Sequence, residues 1–268
     1  MIRTVTSHLE LTAEKGTELV FSVAVARVAG YDSVEEQLDL VSHGEPVAFE
    51  ELHGDGGTVL HVVHADRDLD LTVDYRAVVT GTADPQDMDL DERVVYRRPS
   101  RYVPSDRVLA PAHAAFGGYQ GQRLLDEVAA WVQRNIAYVP GASRSTDGAV
   151  ETLLSRDGVC RDFTHLTLAF LRARDVPARL VSAYAPGLVP MDFHAVVEAF
   201  IDGQWRVVDT TGLAPRQSLV RIATGRDAAD TAFLSSYGGY VGFTGIKVGA
   251  VVSPSLPVDD GASPFVLH

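Results

Sequence analysis

The sequence predicts an α+β protein: an N-terminal antiparallel β-sandwich over residues 1–100, a second domain over 101–253, and a C-terminal tail over 254–268. Three observations carry this. The first hundred residues alternate apolar and polar side chains between turn-forming glycines, the signature of half-buried strands. After residue 120 the apolar spacing changes to the helical period. Then Asp202-Gly203 separates two strand-like runs and reads as a tight hairpin. A chain of 268 residues is long enough to bury a large core, and domains of roughly 100–200 residues make two units natural.

In chain order, Leu69, Leu71, Val73, Tyr75, Ala77 and Val79 alternate with Asp70, Thr72, Asp74 and Arg76. Shorter strand runs are expected at 19–28, 34–41, 46–52 and 57–64, separated by Gly30, Gly44 and Asp55-Gly56-Gly57. Strands at this spacing suggest a sandwich. Arg97 to Pro104 interrupts the pattern as a linker, because proline restrains itself and the residue before it. Ser105 is placed to cap a short helix that Pro111 would disrupt. Leu125, Val128, Val132 and Ile136 share one face of a helix over 121–137, and 139–150 reads as a loop. A further helix starts near Cys160, carries Phe163, Leu166, Phe170 and Ala173, and stops at Asp175-Val176-Pro177. Strands follow at 178–184, 193–201 and 205–210. Three prolines in 254–268 suggest a loosely held tail.

Composition narrows the function. The net charge of −13 argues against a nucleic-acid partner, since phosphate binding needs clustered Lys and Arg. One cysteine makes no intramolecular disulfide, so no oxidising compartment is required. No apolar run approaches the ~18 residues of a membrane span, and the first residues lack the apolar stretch of a secretory leader. The expectation is a soluble cytoplasmic protein without a membrane partner.

The chemistry centres on Cys160, at the start of its helix, where exposed N–H groups and the macrodipole favour a thiolate. His194 and Asp209 follow in the order Cys, His, Asp. Strand parity tests this set. A two-residue turn at Asp202-Gly203 puts Ile201 opposite Gln204 and Val196 opposite Asp209. Side chains alternate along a strand, so His194 and Asp209 become diagonal neighbours on one face, roughly 7–8 Å apart at Cα. A three-residue loop would separate them. A thiol with an ordinary pKa near 8.5 needs such help: the imidazole takes its proton, and a carboxylate orients the imidazole. The Cys160 N–H is a candidate oxyanion donor, and the second donor has no sequence signal. Asp162, in the first helical turn, would oppose a thiolate unless it points away and ties down a loop.

Gly158-Val159-Cys160-Arg161-Asp162-Phe163-Thr164-His165-Leu166, followed by the His194 and Asp209 strands, resembles the bacterial transglutaminase-like superfamily. Arg98-Pro99-Ser100-Arg101 and Arg221 to Asp230 are similar to members with an N-terminal β domain. The resemblance implies a papain-like core, with the cysteine-bearing helix packed on an antiparallel sheet. It also implies a Cys160 nucleophile, a His194 base and an orienting Asp209, acting on amide bonds of a protein or peptide through a thioester. No cofactor is expected. Calcium-binding insertions like those of animal transglutaminases are not recognisable. Three functions stay open: acyl transfer to an amine, hydrolysis as a peptidase or amidase, and a non-catalytic binding module.

Other polar residues have blander readings. His165 lies five residues beyond Cys160, turned by about 140°, and is expected to pack rather than act as a rival base. His61 and His64 fall on opposite faces of a strand, which disfavours a metal site. Zinc held by Cys160, His194 and Asp209 is the minor alternative, because structural zinc generally takes four ligands. Arg226, Asp227 and Asp230 read as an ion-paired turn. Tyr184 and the loop 186–192 precede His194 and are candidates for a substrate groove.

Overall fold

Alternation in the first third of the chain becomes seven strands: β1 (Ile2–Ala13), β2 (Glu18–Phe21), β3 (Tyr31–Ser42), β4 (Glu45–Pro46), β5 (Glu50–His53), β6 (Val59–His64) and β7 (Leu69–Gly81). A computed structural model describes residues 1–267 of the chain. Along β7 the apolar set Leu69, Leu71, Val73, Tyr75, Ala77 and Val79 is buried, while Asp70, Asp74 and Arg76 face out. The expected run at 19–28 is a strand only as far as Phe21.

Helices follow: α1 (Leu90–Val95), α2 (Leu109–Phe116) and α3 (Gly121–Asn135). Asp89 and Glu92 exchange backbone hydrogen bonds at the start of α1, a capping box absent from the expected elements. Pro111 does not disrupt α2 as expected. It is the third residue of that helix, where the N–H has no intrahelical acceptor to lose. Ser105 begins a short 3-10 turn rather than capping a helix with its side chain.

Then come β8 (Ala137–Tyr138), α4 (Ala149–Ser155), β9 (Asp157–Gly158) and α5 (Cys160–Ala173). The sheet behind α5 is built from β10 (Ala178–Tyr184), β11 (Phe193–Ile201), β12 (Gln204–Val208) and β13 (Val220–Gly225). Its order is β12-β11-β10-β13, all antiparallel. Phe163, Leu166, Leu168, Ala169, Phe170 and Leu171 of α5 are buried against α2, α3 and this sheet. Each such leucine or phenylalanine contributes roughly 1.5–3 kcal/mol of burial. A helix bearing a cysteine at its first turn thus packs on an antiparallel sheet, in an α+β architecture.

The chain closes with α6 (Ala228–Thr231), β14 (Leu234–Tyr237) and β15 (Val241–Ser253). Here the expected division is corrected. β15 pairs with the whole length of β1, giving the sheet β15-β1-β7-β3-β4, and β14 pairs with β2 in the sheet β14-β2-β6-β5. Residues 234–253 therefore complete the N-terminal sandwich instead of belonging to a self-contained second domain. Tyr184, Val220, Ile222 and Ala223 join the same apolar core as Leu9, Phe21 and Val73, so the two parts share one interior. The physical reason is pairing: β1 would otherwise leave an open twelve-residue edge.

The tail is also corrected. Asp259 receives the Arg216 guanidinium on both oxygens, at 2.8 and 2.7 Å, and Val207 N–H donates to Phe265 O at 2.8 Å. Val266 and Leu267 are buried. The segment is a strap along the outer side of β12, and its last residue, His268, lies outside the described residues.

Candidate active site

Asp202 and Gly203 adopt positive φ values of 50° and 80°, the twist a two-residue hairpin turn demands. Ile201 pairs with Gln204 and Val197 with Val208, the register expected from the turn. Asp209 follows directly, and its Oδ2 accepts a hydrogen bond from His194 Nε2 at 2.7 Å. Its other oxygen, Oδ1, accepts from Thr211 N–H at 2.8 Å and Thr211 Oγ1 at 2.6 Å. Thr211 thereby fixes the carboxylate that fixes the ring. It had no sequence signal beyond its place in Asp209-Thr210-Thr211.

His194 is almost fully buried. Burial disfavours its charged form, but the Asp209 carboxylate, and after it Cys160, outweigh this and raise the ring's pKa. Asp209 moves the opposite way: burial works against its charge, yet His194 and Thr211 hold its carboxyl below the usual range. With Nε2 committed to Asp209, Nδ1 is buried with no hydrogen-bond partner, and Cys160 is near enough to the ring to help raise its pKa. Cys160 itself is half-buried.

Asp162 points away from the thiol. Its Oδ2 accepts Val159 N–H at 2.8 Å and its Oδ1 accepts Ser143 Oγ at 2.9 Å, tying the loop 139–148 to the start of α5. Gly158 is required there, because a Cβ would meet the Asp162 Cβ at 2.6 Å. Thr164 Oγ1 donates to Ala195 O at 3.0 Å and anchors α5 to β11, the strand that carries His194.

Tyr138 went unrecognised in the sequence. Parallel pairing of Ala137-Tyr138 with Asp157-Gly158 sets its phenol within hydrogen-bonding range of the Cys160 backbone, with its ring 5.9 Å from Phe163. Burial, then the neighbouring Cys160 and Asp192, raise its pKa. The apolar run Ile136-Ala137-Tyr138-Val139 was the available sign of a short strand.

His165 is fully buried against Tyr102, with parallel rings 5.3 Å apart, and its Nε2 accepts Ala228 N–H at 3.2 Å. Arg226 and Asp230 are ion-paired at 2.8 Å, while Asp227 caps α6 and accepts Tyr102 N–H. Tyr184 does not line a groove: its hydroxyl is buried and donates to Val23 O at 2.7 Å. Of the loop 186–192 only Asp192 reaches the cleft. His61 is buried and His64 exposed, on opposite faces of β6. Among the described residues, no group of three or more His, Cys, Asp or Glu is arranged to hold a metal ion.

Cys160 and His194 open on a cleft of about 840 Å³, walled by Arg101, Tyr102, Phe193 and the strand β14. No helix among the described residues is long and apolar enough to cross a membrane.

This site and fold define a class, a cysteine-bearing helix on an antiparallel sheet whose strands carry a paired histidine and aspartate. Residues 118–210 match the family model of the transglutaminase-like superfamily. The crystal structure of a protein from Cytophaga hutchinsonii, described as a candidate cysteine protease, is similar with a TM-score of 0.88 and 30% identity, covering 100% of this chain and 98% of that one. The chain belongs to the transglutaminase-like superfamily. It is also 28% identical over 144 residues to an uncharacterized protein of Mycobacterium leprae, covering 50% of this chain and 52% of that protein. An uncharacterized protein of Mycobacterium tuberculosis is 31% identical over 122 residues, with 40% and 39% covered. The matches thus span about half, or less, of these curated relatives.

Proposed function

We propose that this protein is a cysteine hydrolase of peptide or side-chain amides, with Cys160 as nucleophile, His194 as general base and acid, and Asp209 as the orienting carboxylate. The observation that carries it is the commitment of His194 Nε2 to Asp209 at 2.7 Å, which leaves Nδ1 unpaired on a ring that Cys160 is near enough to influence. His194 takes the thiol proton and the sulfur attacks the carbonyl carbon. The oxyanion meets the Cys160 N–H at the helix start, displacing the Tyr138 phenol oxygen that this N–H faces, and the phenol O–H beside it serves as the second donor. Collapse breaks the C–N bond, and the imidazolium gives its proton to the departing amine. A thioester remains. Water, deprotonated by His194, then releases the acid and restores the thiol.

An amine in place of water would give transfer by the same steps. Hydrolysis is favoured because the Cytophaga relative is described as a candidate cysteine protease. A cytoplasmic location is part of the reading, supported by one unpaired thiol.

Incubation with a glutamine-containing peptide and a labelled amine separates the outcomes. Ammonia is released in both cases, so glutamate formed without label, or a cut peptide, supports hydrolysis; incorporated label supports transfer. Cys160→Ala is expected to abolish either. Iodoacetamide should modify Cys160 far faster than free cysteine near neutral pH, and His194→Ala should remove that excess. Ordinary reactivity in the wild type would leave a binding module instead.

A further inference from the structure

The wall of the cleft opposite the cysteine helix includes β14, and β14 is an edge strand. It pairs with β2 on one side, with Leu234 opposite Phe21 and Ser236 opposite Leu19, and no strand among the described residues lies on its other side. The parity of that pairing is fixed by Ser22 N–H donating to Phe233 O at 3.0 Å. Ser22 and Phe233 are thus a hydrogen-bonded pair, and so in turn are Val20 with Ser235 and Glu18 with Tyr237. In an antiparallel ladder the intervening residues turn their backbone groups outward. Leu234 and Ser236 therefore direct both N–H and C=O away from β2, along the open edge.

That edge lines the cleft that holds Cys160 and His194. It is short, four residues, but it carries no charge, no proline and no bulge to blunt the edge: its sequence is Leu-Ser-Ser-Tyr. Beside it, Ser22 is 2% exposed, lines the same cleft, and its Oγ has no hydrogen-bond partner. A buried hydroxyl left unpaired in a cleft wall points to a polar ligand group that completes it. Phe193 and Phe233, stacked at 5.3 Å, add an apolar floor.

We propose that the free edge of β14 adds an extended polypeptide as a further strand, and that this pairing carries the substrate's amide along the cleft to Cys160. Main-chain bonds to Leu234 and Ser236 give affinity, while alternate side chains of the guest face the cleft floor and the solvent. The inference rests on Cys160 being the nucleophile and specifies what that nucleophile is offered: an unfolded or strand-like segment, not a helix.

The test uses a pool of acetyl-tripeptidyl chloromethyl ketones, which alkylate a thiol with loss of chloride, against iodoacetamide as the non-peptide reference. The peptidyl reagents should react with Cys160 at least tenfold faster relative to iodoacetamide than they do with free cysteine. Methylating the peptide nitrogens one at a time should lower that ratio with a period of two, by about tenfold where a donor to β14 is lost. Ser236→Pro, which deletes an N–H the fold does not use, should lower the ratio similarly. A ratio insensitive to both changes overturns the edge. Hydrogen exchange reads the pairing without chemistry. In Cys160→Ala protein saturated with an unreactive tripeptidyl methyl ketone, the Leu234 and Ser236 amides should slow about tenfold. Unchanged exchange, or slowing that follows protein concentration rather than peptide, refutes the proposal whatever the fate of the nucleophile.

Discussion

His165 and His194 lie at the two ends of one polar problem. Both are buried, on α5 and β11, and burial disfavours an imidazolium in each. Yet their proton affinities part. His165 has a pKa lowered to about 3, first by burial and then by Arg161 and Arg172, and its Nε2 serves only to accept Ala228 N–H. His194 has a buried carboxylate 2.7 Å from its Nε2, and its pKa rises. Desolvation is common to both; the sign of the neighbouring charge decides. One ring is a neutral packing element, and the other is equipped to hold a proton taken from a thiol.

Removing the deciding charge should have the largest effect. Asp209→Asn keeps the shape but loses the countercharge, and the rate of Cys160 alkylation at neutral pH should fall by about 10²–10⁴-fold. The pH response of stability should change with it. A raised His194 pKa means its stabilisation is complete below about 6.5, the unfolded value, and is lost as pH climbs through the folded value. The lowered Asp209 carboxyl contributes above its unfolded value near 4, and that share fades as pH falls through the folded one. Asparagine should abolish both limits in denaturant titrations across pH. Persistence of either would mean that another group controls the ring.

His165 sets the next effect. Between about 6.5 and 3 the unfolded chain holds a proton that the native ring refuses, so stability falls with falling pH. The slope is about 1.4 kcal/mol per pH unit, a few kcal/mol in all. His165→Leu should cost roughly 1–3 kcal/mol at pH 7, because Ala228 N–H loses its acceptor, yet should flatten the acid slope. An unchanged slope would place the acid sensitivity elsewhere.

Smaller effects sharpen the contrast. Thr211→Val frees one bond on Asp209 and should lower alkylation by a few-fold to tenfold, with about 1 kcal/mol of stability, measured by kinetics and urea melts. Ala228→Pro deletes the N–H given to His165 at a first helical position where proline is tolerated. It should cost about 1–3 kcal/mol of stability, because the buried His165 Nε2 is left without a donor, and leave alkylation of Cys160 unaltered. A large loss of reactivity would join the two histidines into one device.

Legibility in the sequence followed the range of the interactions. The strand 193–201 and the turn at Asp202-Gly203 appear as read, because a two-residue turn and side-chain alternation are local properties, and they alone bring His194 beside Asp209. α5 begins at Cys160 for local reasons too. β1 escaped notice because two of its inward positions are Arg3 and Ser7, which blur the alternation. Arg3 is tolerated inside because carbonyl oxygens of Leu219 and Gly81, far away in sequence, receive its guanidinium. Tyr138 was hidden for the same reason, since a two-residue strand has no period to detect.

By itself the sequence determined the local conformations of β7, α3, α5 and the β11–β12 hairpin, and hence the pairing of an imidazole with a carboxylate. Only the tertiary structure decided that residues 234–253 return to close the N-terminal sheets, that the tail lies strapped over β12, and which buried histidine holds charge. Those outcomes depend on strand and strap partners 43 or more residues apart and on how fully each ring is buried, which no short window of residues carries.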